Sequence, residues 1–114
     1  MKDSERLFKE GQRYIPGGVN SPVRAFRAVG GNPLFIQQAQ GSRIWDVDDN
    51  EYIDYVGGAG ALILGHSHPS VVKASQEQMA RGAHMFGSLN DVTIKLAERL
   101  VDDIPCAEKI AYAT

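Results

Sequence analysis

The chain has 114 residues, 43% of them hydrophobic, and its formal charge of −2 comes from 12 basic and 14 acidic residues. That is long enough for a folded core, and the balance excludes the basic field that a phosphate backbone needs, so nucleic acid is not an expected partner. Cys106 is the one cysteine, which rules out an internal disulfide; no apolar run approaches a membrane span, and the charged start at Lys2–Arg6 is unlike a signal peptide, so a cytoplasmic protein with no membrane partner is expected.

The first predicted element is a helix over 3–15, with Leu7, Phe8, Gly11, Tyr14 and Ile15 at helical spacing and Asp3 or Ser4 as its cap. Pro16, Gly17 and Gly18 stop it. Residues 19–26 have no sustained period, and Ser21 before Pro22 is biased toward an extended backbone, so a loop lying against something is expected. After the break at Gly30–Pro33, three strands are predicted at Leu34–Gln38, Arg43–Val47 and Tyr52–Val56, with turns at 40–42 and 48–50. Their alternation leaves one apolar face, the pattern of an antiparallel meander that needs a cover.

The stretch from Tyr52 to Pro69 organises the rest. Gly57, Gly58, Gly60 and Gly65 imply a backbone that takes positive φ or admits a close neighbour, and the uncharged run Ala61–Leu64 between them is expected to be buried. The segment reads as a crossing between two structural units, with a binding surface at the crossing. A helix over 69–81 follows, ended by Gly82, and then a stronger one over 90–103, capped by Asn90 and stopped by Pro105. Lys109–Thr114 reads as a strand apolar on both faces, which belongs inside a covered parallel sheet. No other strand in the chain could pair with it in parallel, so the expectation is that these residues are the N-terminal part of a larger protein.

Several residues could carry chemistry. His66 and His68 have metal-site spacing but lack an evident third ligand, so hydrogen bonding at a helix start is the preferred reading and no metal is expected. Asp46, Asp48, Asp49, Glu51 and Asp54 alternate with apolar residues as the wet face and turn of a hairpin do. Cys106 has no histidine beside it in sequence and is not expected to act as a nucleophile. Arg24 sits in an otherwise apolar loop, where its planar fork suits a carboxylate. That carboxylate is either an internal Asp or Glu or one on a ligand.

Taken together, Tyr14–Phe26, Gly31–Ile36, Ile44–Asp48, Tyr52–Gly57 and Ile63–Pro69 resemble the N-terminal quarter of class-III aminotransferases, nearest to the aminomutase branch of that family. The resemblance runs from Ser4 to Thr114. It implies an α/β protein, the N-terminal part of the type I pyridoxal-phosphate transferase fold: helix, antiparallel three-stranded meander, then helices and the first strand of the large domain. Residues 1–68 would belong to the small domain, and 69–114 would open the large cofactor-binding one.

The resemblance further implies pyridoxal phosphate as cofactor and a small amino substrate bearing a carboxylate. Arg24 matches the arginine that binds the substrate carboxylate, and Ser21 lies in the same loop. The Schiff-base lysine and the main cofactor-binding residues are expected beyond Thr114, so no catalytic residue is expected within this chain. Ala59 stands where the family usually carries a tryptophan lining the site, which would widen the pocket and keeps open a class-III aminotransferase acting on a different amino compound. Phe86, Gly87 and Ser88 match a loop that reaches toward the neighbouring subunit's site, implying a homodimer for the full-length enzyme. The contrasting expectation is a non-catalytic fragment or interaction module.

Overall fold

The first helix, α1, runs Asp3–Tyr14 in the computed structural model, which describes residues 2–83 and 88–113. Its cap is not the one the sequence predicts. The chain enters from Lys2 with no local side-chain cap; instead Asp48, 45 residues away, accepts the Asp3 N–H at 2.7 Å and the Ser4 N–H at 3.3 Å. A carboxylate there satisfies orphan donors and meets the positive end of the helix dipole. Ile15 closes the helix by donating to the Gly11 carbonyl at 2.8 Å, and Pro16–Gly18 form a short 3-10 turn. Gly18 packs back on α1, where an added Cβ would lie 2.9 Å from the Phe8 ring.

Three strands, β1 (Ile36–Gln40), β2 (Arg43–Asp46) and β3 (Glu51–Ile53), form the predicted antiparallel meander in the order β1-β2-β3. Their bounds differ from the expectation for local reasons. Between Ile36 and Gln38 the register of β1 on β2 shifts, and its pairing extends to Gln40 at the Gly41 turn. At the far ends of β2 and β3, Asp46 and Asp54 each turn their carboxylates back onto following amides, which draws the chain off the ladder. Arg43 and Glu51 pair across β2 and β3 as exposed charges.

Residues Met1–Lys73 form one compact unit and Ala74–Thr114 a second. Helix α2 spans Pro69–Arg81, as the spacing predicts, and α3 spans Asp91–Asp103. In α3 the Asn90 side chain accepts the Thr93 N–H at 3.0 Å, the predicted cap, and the i,i+4 pair of Asp91 with Lys95 lies at 2.6 Å. Residues 109–113 are not a strand. An isolated strand leaves its backbone groups unpaired, and no strand is present among the described residues of this unit. Tyr112 is instead held by its hydroxyl, which donates to the Thr93 carbonyl at 2.8 Å. Among the described residues no large apolar side chain is fully buried, and on α3 Val92, Ile94 and Leu96 stay exposed.

Candidate functional site

Arg24 lies in a 3-10 turn, Pro22–Ala25, whose start is set by Pro22 and by the Arg24 N–H donating to the Ser21 carbonyl at 2.9 Å. Phe26 ends the turn in the left-handed region, at φ 55°. The sequence places Arg24 among apolar neighbours, where burial would demand an acid. The side chain is in fact exposed, and among the described residues it forms no ion pair. It lines a cleft of about 330 Å³ together with Gly18, Val19, Asn20, Leu34, Phe35 and Ile36. This leaves a cation at the wall of a cleft of mixed polar and apolar surface, an arrangement that attracts a small ligand carrying a carboxylate.

Asp46 corrects the wet-face reading of the acidic residues. It is 1% exposed, the most buried side chain described, and its carboxylate accepts from the amides of Asp48 and Asn50, the Asn50 side chain and the Tyr52 hydroxyl. Burial pushes its carboxyl up, and the Asn50, Tyr52 and Asp48 hydrogen bonds outweigh that and hold it below the usual carboxylate range. Asp48 is shifted the same way, burial being outweighed by the adjacent Ser4 hydroxyl and the Asp3 and Ser4 amides. The buried Ser4 Oγ itself falls short of a well-formed hydrogen bond. Asp49 and Glu51 are exposed, as expected of a turn.

Asp54 makes a second cluster. Its Oδ2 lies 2.6 Å from His66 Nε2, and its Oδ1 accepts the Val56 and Gly57 amides at 2.8 and 3.2 Å. The His66 contact, followed by those amides, lowers the Asp54 carboxyl. His66 also exchanges two backbone hydrogen bonds with Gly41, while Ser67 turns through φ 53°, which breaks the extended His66–His68 segment that sequence spacing assumes. Ala59 lies between these anchors, itself left-handed at φ 58° and exposed. The run Ala61–Leu64, expected to be buried, is largely open: Ile63 is 91% and Leu64 60% exposed, because no described residue covers them.

The three depressed carboxyls of the first unit, Asp46, Asp48 and Asp54, carry a stability consequence. A folded-state pKa below the unfolded one contributes stability that is complete above the unfolded value and is lost as pH falls through the folded one. Unfolding of the first unit, followed by urea titration of Trp45 fluorescence, is therefore expected to be flat above about pH 5 and to weaken progressively below about pH 4. Asp46→Asn should flatten that acid limb. An unchanged limb in this variant would show that Asp46 is not among its causes.

Neither Ser21 nor Ala59 lines the Arg24 cleft. Ser88 is exposed, and Phe86 and Gly87 lie outside the described residues. Residues 26–114 match the family profile described as Aminotransferase class-III. The chain belongs to the class-III aminotransferases. Among curated class-III relatives, the glutamate-1-semialdehyde 2,1-aminomutase of Thermodesulfovibrio yellowstonii is 53% identical over 109 residues, covering 96% of this chain and 25% of that protein. That of Syntrophomonas wolfei is 56% identical over 107 residues, covering 94% and 25%. The chain thus spans about a quarter of the length of the curated relatives it matches.

Among solved structures, an omega-transaminase from Sphaerobacter thermophilus superposes with a TM-score of 0.80 at 30% identity, covering 95% of this chain and 24% of that one. A glutamate-1-semialdehyde aminomutase from Pseudomonas aeruginosa PAO1 gives a TM-score of 0.74 at 26% identity, covering 87% and 21%. The helix and meander of this chain are therefore class-III architecture. The lysines described in it do not suit a phosphorylated cofactor. Lys2 and Lys109 line clefts shared with Asp46 and Asp48 or with Glu98, Asp102 and Glu108, Lys95 is paired with Asp91, and Lys9 and Lys73 have partners of their own. The Asp46 hub and the Asp54–His66 pair are what sequence reading missed. The signal for the first was present as Asp46 with Asn50 four residues on, in a turn built of side chains that bond backbone.

Proposed function

We propose that this chain is the substrate-facing N-terminal part of a glutamate-1-semialdehyde 2,1-aminomutase. That enzyme moves the amino group within glutamate-1-semialdehyde to give 5-aminolevulinate for tetrapyrrole synthesis. The observation that carries the residue-level reading is Arg24, a guanidinium with no internal acid partner among the described residues, lining a cleft of mixed polar and apolar surface. Its two-pronged donor set binds the substrate carboxylate and orients the molecule, with Ser21 in the same loop. The cofactor is pyridoxal phosphate, which supplies the electron sink for amino-group chemistry and is held by groups other than the lysines described here. Residues 69–114 open the large domain. The full-length protein is a cytoplasmic homodimer, with the exposed Ser88 close to the neighbouring subunit.

The test is conversion of glutamate-1-semialdehyde by a protein of full family length carrying this chain, with pyridoxal phosphate added and 5-aminolevulinate measured. Formation of 5-aminolevulinate without any keto-acid acceptor is the expected result. Ala59 favours one second reading, a class-III aminotransferase with a different amino substrate, since the tryptophan usual in the family is replaced by a methyl group. That reading is supported if turnover requires an amino donor and a separate acceptor. If neither activity appears in a folded, cofactor-loaded protein, the chain serves as an interaction module.

A further inference from the structure

We propose that Asp54 and His66 are positioning residues for substrate selectivity, pinning the two ends of the loop between them so that Ala59 is held at a fixed place in the site. This rests on the reading that Ala59, which lies outside the Arg24 cleft, lines a second part of the substrate pocket. The loop has little else to hold it. Gly57, Gly58, Ala59 and Gly60 are consecutive left-handed residues, with φ of 53°, 62°, 58° and 94°. Ala59 is exposed, and the turn's own bonds are short-range, Ala59 N–H to the Val56 carbonyl at 3.0 Å and Leu62 N–H to the Gly57 carbonyl at 3.1 Å. A glycine-rich segment of this kind samples many backbone states unless its ends are fixed.

Both ends are fixed through one carboxylate. Asp54 Oδ1 takes the Val56 and Gly57 amides, which sets where the left-handed run begins, and Oδ2 meets His66 Nε2 at 2.6 Å where the loop returns. Both side chains are shielded, 11% exposed for Asp54 and 23% for His66, so the pair is screened less than a surface ion pair. His66 is anchored in turn to the β1–β2 hairpin by its two bonds with Gly41, and Ser67 Oγ donates to the Ala39 carbonyl at 2.9 Å.

A double-mutant cycle in the full-length, cofactor-loaded enzyme tests this, with kcat/KM measured for an arylalkyl amine and for a short aliphatic amino acid. Ala59→Trp is expected to shift the ratio against the arylalkyl amine by about tenfold or more, since it refills the pocket. In an Asp54→Ala background the same substitution should shift it by less than about threefold, because the Val56 and Gly57 amides and His66 have lost their shared partner and the added ring is no longer held in one place. His66→Phe, which keeps an aromatic ring and removes the bond, should repeat the result if Asp54→Ala folds poorly. Equal shifts in the pinned and unpinned backgrounds would overturn the positioning inference and leave the pocket reading standing. No shift from Ala59→Trp in the unmodified background would overturn the pocket reading itself.

Discussion

Arg24→Ala, introduced into the full-length enzyme, is expected to raise KM for a carboxylate-bearing amino substrate about 30- to 700-fold. Losing a charge-assisted, two-pronged hydrogen-bonded contact to the bound substrate costs about 2–4 kcal/mol, at about 1.4 kcal/mol per factor of ten. The same substitution should leave an amine lacking the carboxylate almost unaffected, and that contrast separates recognition from damage to the fold. Because Arg24 is exposed and makes no ion pair among the described residues, its removal opens no cavity and strands no internal charge. Arg24→Lys should recover only part of the loss, since an ammonium keeps the charge without the planar fork. Equal KM values for Arg24→Ala and the parent with the carboxylate substrate would return Arg24 to the role of a solvated surface cation.

The features legible in the sequence are those set by short-range rules. The helices Asp3–Tyr14, Pro69–Arg81 and Asp91–Asp103 follow from apolar spacing, from Asn90 as a cap and from Pro16 and Pro105 as stops; the meander follows from alternation and its two polar turns. What could not be read depends on pairs far apart in the chain. Asp48 capping α1 from 45 residues away, and Asp54 meeting His66 across 12, leave no periodic trace. Asp46 alternates like a solvent-facing residue, yet its partners are amides within four positions and the Tyr52 hydroxyl six positions on, so its burial is satisfied locally. The misplaced Ala61–Leu64 run and the absent strand at 109–113 have a common cause. Hydrophobicity and β-propensity state what a segment would do beside a partner surface, and these segments have none among the described residues. For the site, Arg24 is visible as a cation in an otherwise apolar loop, whereas the cleft beside it joins that loop to Leu34, Phe35 and Ile36 further along the chain.

Gly65→Ala is expected to cost this chain the most stability of any glycine substitution described. Gly65 has φ 77°, which an alanine adopts at a cost of about 1–2 kcal/mol. Its added Cβ would also lie 2.7 Å from the Gly41 carbonyl oxygen and 2.9 Å from the carbonyl carbon, both backbone atoms in the β1–β2 turn. Relief requires the two chain segments to part, and the two His66–Gly41 hydrogen bonds, at 2.8 and 2.9 Å, stretch or break as they do. With each bond contributing about 0.5–1.5 kcal/mol, the total is about 2–5 kcal/mol. A unit with no fully buried apolar side chain among its described residues has little reserve against such a loss. Gly41→Ala is the control, because Gly41 is also left-handed, at φ 56°, but a Cβ there meets nothing within 4 Å. Urea unfolding followed by Trp45 fluorescence should therefore place Gly41→Ala about 1–2 kcal/mol below the parent and Gly65→Ala well below that. Matching midpoints for the two variants would mean that the 41–66 bridge yields freely, and the loop carrying Ala59 would then depend at its far end on the Asp54–His66 contact and the Ser67–Ala39 hydrogen bond.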